Sequence, residues 1–372
     1  MTDQRIADLT DALDGPDGLR FVRAPGRVNL IGDHTDYQDG FCLPMAIDRD
    51  CLVGLRPTDG GRVRARSLEL SGTVDVAADG SDDARSGEPR WGGFVAGAVQ
   101  TLVARGGRVP GLDLVVSSTV PAGSGLSSSS ALSVALTMAL GDTAGLELDA
   151  NDVARAALDA EVRATGVPGG LMDQLASVHG VADHALLIDC RTLAVEPIPL
   201  PREVAVLVVH SGVPRTLAGS AYAERRAATE RAATRLGIAS LRDANLRDLQ
   251  DDAFARHVVT ENARVLAFAA ALRDHDVGAL GPLLLASHAS LRDDFAVSTP
   301  ELDLLVDAFV AAGALGARLT GAGFGGCVVG LALATEAPRV LDRTVERYRS
   351  ASGREPSAFV VQAVEGAGRV EP

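Results

Sequence analysis

The sequence predicts an α+β protein of two packed domains. The chain has 372 residues, of which 47% are hydrophobic, so it can bury a large core and exceeds the size of one small domain. Strand-like and helical segments alternate along it, but without the regularity of a doubly wound parallel sheet. Pro197, Pro199 and Pro201 separate two groups of such segments. We therefore predict a first domain over residues 1–196 and a second over 197–372.

The predicted first domain mixes strands with helices. Strands are predicted at 20–30, 41–47, 112–120 and 185–190, and helices at 91–102, 131–140 and 149–165, with a further helix beginning near 172. Residues 131–140 are hydrophobic on all sides, which predicts a buried helix. Asp149 or Asn151 is suited to cap the helix that follows. Residues 78–90 are acidic and rich in Gly and Ser, which predicts a surface loop.

The predicted second domain opens with an apolar strand and continues with helices. The strand is predicted at 204–210, the helices at 218–236, 254–273, 277–292 and 300–313, and a last strand at 327–333. A glycine-rich loop at 321–326 leads into that last strand. Dinucleotide-binding loops of similar sequence follow a strand rather than precede one, so this loop does not indicate a dinucleotide site.

The composition excludes several kinds of site. The net charge of -14 argues against nucleic acid as a main partner. All 35 basic residues are arginine, so the chain has no lysine for a P-loop or a Schiff base. Phosphate must then be bound by arginine, backbone N–H groups, helix N-termini or a metal ion. The cysteines and histidines form no zinc-binding pattern, and we expect reduced, buried thiols.

Two further features bear on location. The sequence has no long apolar run, so we predict no membrane span. Residues 1–20 are acidic and polar, unlike a signal peptide, so we expect a cytoplasmic protein.

A glycine- and serine-rich segment follows the strand predicted at 112–120. Gly123 and Gly125 precede four consecutive serines, Ser127 to Ser130, and the buried helix comes directly after them. Glycines allow a backbone to approach an anion, and a helix N-terminus points free N–H groups at it. Serine hydroxyls can also bind Mg²⁺. The pattern favours a phosphate-binding loop over a tight turn with a serine cap.

Two carboxylates and one polar loop have open interpretations from the residues alone. Glu161 borders the predicted buried face of its helix and therefore needs a cation or hydrogen-bond donors. Asp173 lies in the first turn of a helix, where it could simply compensate the helix dipole. The loop at 32–40 carries several charged residues and could be no more than a solvated hairpin tip.

Taken together, these segments resemble the GHMP kinases, and most closely the galactokinase branch of that family. The similar segments are residues 24–37, 121–132, 169–174, 220–226, 256–259, 287–294 and 319–327. They occur in order over about residues 20 to 333, and the first of them is highly specific. The resemblance implies the two-domain GHMP kinase fold, with the active site in the cleft between the domains.

The resemblance also implies site residues. Asp173 would be the catalytic base, and Arg27 would lie beside it and the transferred phosphoryl group. Mg²⁺ would be bound by Ser129 and Glu161. The implied sugar-binding residues are Asp33, His34, Thr35, Asp36 and Tyr222. The implied ATP-binding residues are Ser67, Trp91, Gly123, Ser124, Gly125, Leu126, Ser127, Ser128 and Ser129.

The implied activity is phosphorylation of the 1-hydroxyl of galactose by ATP, with sugar and ATP as the partners and a monomer as the default assembly. Asp33 and Gln38 stand where the family signature usually has Glu and Asn. Ser130, Ser133 and Gly169 are further departures. Because Asp33 is an implied sugar contact, two alternatives stay open. One is the same chemistry on N-acetylgalactosamine, arabinose or galacturonate, and the other is a catalytically silent sugar sensor.

Overall fold

The computed structural model describes residues 2–213, 218–249 and 251–371. Its strands are β1 (Arg20–Ile31), β2 (Phe41–Thr58), β3 (Arg62–Ser67), β4 (Thr73–Ala77), β5 (Gly111–Ser118), β6 (His184–Asp189), β7 (Ala194–Pro199), β8 (Val204–His210), β9 (Gly316–Thr320), β10 (Cys327–Leu333), β11 (Ser357–Val361) and β12 (Gly368–Val370). Its helices are α1 (Thr2–Ala12), α2 (Gly92–Ala104), α3 (Ser128–Thr143), α4 (Ala150–Thr165), α5 (Met172–His179), α6 (Ala218–Leu236), α7 (Ala253–Arg273), α8 (Val277–Asp293), α9 (Pro300–Ala312) and α10 (Ala337–Ser352).

The strands form two sheets. The first has the order β12-β1-β2-β5-β3-β4, and β6 pairs with both β2 and β7. Only β3 and β5 run parallel within the described part of this sheet. The second has the order β11-β8-β10-β9 and is antiparallel. Mixed and antiparallel pairing confirms the predicted α+β class.

Helix α3 is the buried helix that the sequence predicts. It packs against α2, α4, β1 and β2, and its apolar residues on all sides, such as Val134, Leu136 and Leu140, are inaccessible to solvent. It begins earlier than predicted, at Ser128, so three of the four serines lie in its first turn. The helix N-terminus therefore lies directly after the glycine-containing loop.

Most predicted elements are confirmed, several with shifted ends. Asp149 caps α4 by accepting a hydrogen bond from the backbone N–H of Asp152, so it, rather than Asn151, is the N-cap. Strand β2 runs to Thr58 instead of ending at residue 47, because β1 and β5 pair with its continuation, in which charged residues stand beside buried apolar ones. No elements were predicted for α1, β3, β4, β7, β9, α10, β11 and β12.

Two strands bear on the predicted domain division. Residue 197 lies within β7, which pairs with β6 in the first sheet. Strand β12 also joins the first sheet, beside β1. We therefore propose a division after Pro199, with the last residues returning to the first domain. Within the described ranges, no helix is both long and apolar enough to cross a membrane.

Candidate active site

A cavity of about 240 Å³ lies where elements of the two sheets meet. Its walls come from β1, the loop after β1, α3, α4, the segment before α5, α6 and the glycine loop after β9. The predicted site residues that line it are Arg27, Asp33, His34, Asp36, Glu161, Asp173 and Tyr222. Residues as far apart in sequence as Arg27 and Ala322 thus line one cavity.

Asp173 is held in place by charged and neutral donors. Arg27 donates from Nε to Asp173 Oδ1 at 2.7 Å, and Arg27 Nη2 lies 2.6 Å from the same oxygen. Ser127 Oγ donates to the other oxygen, Oδ2, at 2.6 Å. These three bonds fix an acceptor carboxylate at the cavity wall, in the first turn of α5 as predicted.

Arg27 links the carboxylate to the glycine–serine loop. Its Nη1 donates to the carbonyl of Gly125 at 2.6 Å, and its backbone N–H donates to the carbonyl of Leu126 at 3.1 Å. Gly26 permits this approach, because a Cβ there would lie 2.6 Å from Leu126 O. Burial alone would lower the pKa of Arg27, but Asp173 and Asp33 raise it overall, so the guanidinium stays charged.

Glu161 lies among neutral donors. Its Oε2 accepts from Gln174 Nε2 at 2.8 Å and from Ser130 Oγ at 3.0 Å. Burial raises the pKa of Glu161, and the hydrogen bonds of Ser129, Ser130 and Gln174 oppose that rise. Ser129 and Glu161, the predicted metal ligands, are therefore neighbours. Among the described residues Glu161 has no ion-pair partner, and a carboxylate beside a hydroxyl is a donor set that suits Mg²⁺.

No group of three or more His, Cys, Asp and Glu side chains in the described part of the chain could hold a metal by itself. A cation at Glu161 and Ser129 would need further oxygen ligands, and ATP phosphates supply such oxygens.

The loop between β5 and α3 has the backbone expected of an anion-binding turn. Gly123, Gly125 and Ser127 have positive φ angles of 70°, 86° and 61°. Ser124 Oγ donates to the carbonyl of Pro121 at 2.7 Å, and the Leu126 side chain is buried in the core. Of the predicted ATP-binding residues, Ser124 and Leu126 can therefore contribute mainly through their backbone.

A second, more apolar cavity of about 450 Å³ opens beside this loop. It is lined by four of the predicted ATP-binding residues, Ser67, Trp91, Ser128 and Ser129. Glu69 and Phe94, for which no role is predicted from the sequence, also line it. Glu69 accepts from Ser117 Oγ at 2.8 Å, which holds its carboxylate at the wall. An apolar cavity next to an anion-binding loop offers a nucleotide base a place to bind.

His34 is neutral and has one defined tautomer. Its Nε2 lies 3.2 Å from the carbonyl of Ala322, so Nε2 carries the proton, and Nδ1 accepts from the Tyr37 hydroxyl at 2.9 Å. Burial, together with His257 and Arg318, lowers the pKa of His34 to about 3. The Tyr222 ring lies 5.6 Å from the His34 ring, which completes an aromatic wall of the cavity.

Asp36 occupies space that Gly170 leaves open. A Cβ on Gly170 would overlap the Asp36 carboxylate, so the segment before α5 must be glycine there. Burial raises the pKa of Asp36 to about 6, and the charge of Asp173 adds to that rise.

The structure does not bring Thr35 to the cavity. Thr35 is inaccessible to solvent, and its hydroxyl lies within hydrogen-bond distance of the carbonyls of Gly32 and Phe41, at 2.9 and 2.8 Å. The Thr35 side chain therefore stabilises the loop and does not face the cavity, where a sugar contact was predicted for it. Gln174 and Ser130 were missed, although both stand inside the segments that carried the resemblance.

Comparison with known proteins places the chain in a family. A curated galactokinase from Roseiflexus sp. (strain RS-1) is 44% identical over 364 residues, which cover 94% of this chain and 92% of that relative. The chain belongs to the galactokinase family. Three family models agree: the galactokinase galactose-binding signature over residues 11–57, GHMP kinases N terminal domain over 93–181, and GHMP kinases C terminal over 268–350.

Solved structures agree with the galactokinase assignment. Lactococcus lactis galactokinase complexed with galactose superimposes with a TM-score of 0.92 at 30% identity, covering 98% of this chain and 100% of that one. Mevalonate kinase from Methanococcus jannaschii has a TM-score of 0.69 at 18% identity, covering 94% of this chain and 100% of that one, which shows a shared fold. The predicted GHMP kinase fold is confirmed, and the galactokinase family consists of ATP-dependent phosphotransferases.

Proposed function

We propose that this protein transfers the γ-phosphoryl group of ATP to the 1-hydroxyl of galactose, giving galactose 1-phosphate and ADP. The observation that carries the proposal is the placement of Asp173, which lies between the polar loop after β1 and the glycine–serine loop before α3. A sugar held by the first loop and a phosphate held by the second would meet at this carboxylate. Family membership supports the same reaction.

Asp173 acts as the base. Its carboxylate orients the sugar hydroxyl and takes the proton as the new oxygen–phosphorus bond forms and the bond to ADP breaks. Arg27 forms an ion pair with the carboxylate and, being planar and always charged, can also face the transferred phosphoryl group. Phosphoryl transfer asks mainly for positioning and charge stabilisation, and these two side chains supply both.

Phosphate charge is offset by groups other than lysine, which the chain lacks. The first turn of α3 offers backbone N–H groups and the positive end of the helix dipole. Bound Mg²⁺, held by Ser129 and Glu161 together with phosphate oxygens, would neutralise charge that builds up on the phosphates. Ser67 and Trp91, in the apolar cavity, would contact the nucleotide.

Sugar recognition falls to Asp33, His34, Asp36 and Tyr222. Both Asp33 oxygens already accept one protein hydrogen bond, which leaves each a lone pair for a sugar hydroxyl. We assign Asp33 to the end of the sugar that carries the 6-hydroxyl. It is one methylene shorter than the glutamate usual in the family, so either the backbone or a water molecule makes up the difference.

A coupled ADP-release assay tests this function. Galactose, 6-deoxygalactose, arabinose, galacturonate and N-acetylgalactosamine are compared at saturating ATP and Mg²⁺. We expect the highest kcat/KM for galactose and a much lower value for 6-deoxygalactose, because the latter leaves a buried acceptor unpaired. A different best substrate refutes the galactose assignment, and no sugar-dependent ADP release refutes the kinase assignment. A cytoplasmic location and a monomeric state remain predictions.

A further inference from the structure

Three segments that resemble the family contain none of the residues assigned to the reaction above. They are residues 256–259, 287–294 and 319–327. In the structure they lie on α7, α8 and β9 with its following loop. These elements meet behind the loop that begins at Gly32, at side chains that are fully buried: His257, Glu261, Ser287 and Arg318.

Helices α7 and α8 bind the backbone of the sugar-binding loop. Glu261 Oε1 accepts from the Gly32 N–H at 3.0 Å, and His257 Nε2 lies 3.1 Å from the Asp33 carbonyl. Ser287 Oγ donates to the same Glu261 oxygen at 2.5 Å. The loop comes from the first domain, whereas all of these partners come from the second. The second domain therefore fixes the position of the loop.

Arg318 binds the side chain of Asp33. Its Nη2 forms an ion pair with Asp33 Oδ2, and its Nη1 donates to the Leu30 carbonyl at 3.1 Å. The Gly321 N–H donates to the other Asp33 oxygen at 3.2 Å. Asp33 lines the cavity, whereas Arg318 does not. The carboxylate that faces the sugar space is thus held from behind by a residue that the sugar cannot reach.

Arg318 also interacts with the charges around it. Burial alone would raise the pKa of Glu261, but His257, Arg264 and Arg318 lower it to about 2. A fully buried arginine is costly unless its charge is paired and its N–H groups are bonded. Within the described part of the chain Nε has no hydrogen-bond partner, so the guanidinium is held by its two Nη groups, which contact Leu30 and Asp33.

We propose that Arg318 is a positioning residue for the sugar site: it orients the Asp33 carboxylate and thereby sets the affinity for the sugar. This inference rests on the proposed sugar kinase function. Arginine suits this role because its planar guanidinium can donate to two acceptors in a fixed geometry. A lysine ammonium, carried on a flexible side chain, cannot hold two acceptors in this way. Because Asp33 is short, it has little freedom to recover a lost orientation.

The first test compares Arg318→Lys with Arg264→Lys. Arg264 donates to the same buried cluster, from Nε to Glu261 Oε2 at 2.7 Å, but it forms no described bond with Asp33. For Arg318→Lys we expect the sugar KM to rise about 10- to 100-fold. We expect kcat and the ATP KM to stay within about threefold of the wild-type values, because the lost interaction stabilises the bound sugar and the transition state equally. For Arg264→Lys we expect a lower Tm and an unchanged sugar KM. Equal sugar KM values for the two variants would overturn the proposal.

The second test asks whether Arg318 acts through Asp33. In the Asp33→Asn/Arg318→Met variant both charges are removed together, so no buried charge is left unpaired and the fold is retained even if Arg318→Lys fails to fold. We expect its sugar Kd to lie within about threefold of that of Asp33→Asn alone, because coupled changes are not additive. A further loss of tenfold would show that Arg318 acts independently and would refute the inference.

Binding is measured by equilibrium dialysis with the best sugar of the panel, without ATP. This separates the two proposals. A wild-type protein that binds the sugar but does not phosphorylate it refutes the proposed function and leaves the positioning test intact. A wild-type protein that phosphorylates the sugar, with no change in sugar affinity in Arg318→Lys, refutes the positioning role alone.

Discussion

Replacing Asp173 by asparagine tests the centre of the mechanism. The amide has the size of the carboxylate, so its oxygen can keep the bonds from Arg27 while its NH₂ faces Ser127 Oγ, which can turn to accept. The Asp173 side chain is 27% exposed, which limits the cost of the change to the fold. The substitution therefore removes the proton acceptor and one negative charge and little else.

The two interpretations of Asp173 predict effects on different quantities. A helix-start aspartate that only compensates the dipole contributes about 0.3–1 kcal/mol to stability and nothing to kcat. A general base contributes about 10²- to 10⁴-fold to the rate, or about 2.7–5.4 kcal/mol of transition-state stabilisation. For Asp173→Asn we expect kcat to decrease by about 10²- to 10⁴-fold, while the sugar KM changes by less than about threefold.

The assay is ADP release under saturating galactose and ATP, with thermal unfolding as the measure of stability. Asp152→Asn is the matched control, because Asp152 also lies in the first turn of a helix, α4, and is remote from the cavity. We expect the control to lose a little stability and to keep full kcat. If Asp173→Asn behaves like Asp152→Asn, Asp173 is a structural helix-start residue and the mechanism is wrong.

Three further predictions follow from the site. Chelation by EDTA should stop ADP release and excess Mg²⁺ should restore it, because Glu161 and Ser129 need a cation to bind phosphate; sugar-dependent turnover without any divalent metal would contradict this. Gly170→Ala should lower galactose kcat/KM by at least about tenfold by displacing the Asp36 carboxylate, whereas Gly87→Ala, whose Cβ meets open space, should not; equal values would refute the packing argument. Folding raises the pKa of Asp36 from 3.8 to about 6, so the carboxyl contributes stability below pH about 4 that is lost as the pH rises through about 6. Asp36→Asn should therefore raise Tm relative to wild type at pH about 7.5 and lose that advantage at pH about 4, and a Tm difference independent of pH would contradict the shift.

Local sequence sufficed where a pattern repeats along one element. The apolar run after the four serines predicted a buried helix, and α3 is buried on all sides because the core surrounds it. Helix α6 has the predicted bounds, and Asp149 caps α4 as its side chain and spacing indicate. The motif segments also indicated the family, because their order and residue types are specific.

Local patterns failed where a residue's role depends on a distant partner. Strand β2 continues past residue 47 through charged residues because β1 and β5 provide hydrogen bonds on both sides. Thr35 stands among sugar-loop residues in sequence, but its hydroxyl turns to the loop backbone. Its acceptors are close in sequence, but the direction of the hydroxyl follows from the folded shape of the loop, which the residue types alone do not show.

Sequence patterns alone were enough to predict the family, the order of most helices and strands, and the chemical groups at the site. They left open whether Glu161 and Asp173 were structural or catalytic, since a carboxylate's role depends on what surrounds it. The tertiary structure decided their surroundings, placing Glu161 beside Ser129 and Asp173 against Arg27. It also paired Asp33 with Arg318 across 285 residues of chain, a buried ion pair that exists only because the two domains pack together.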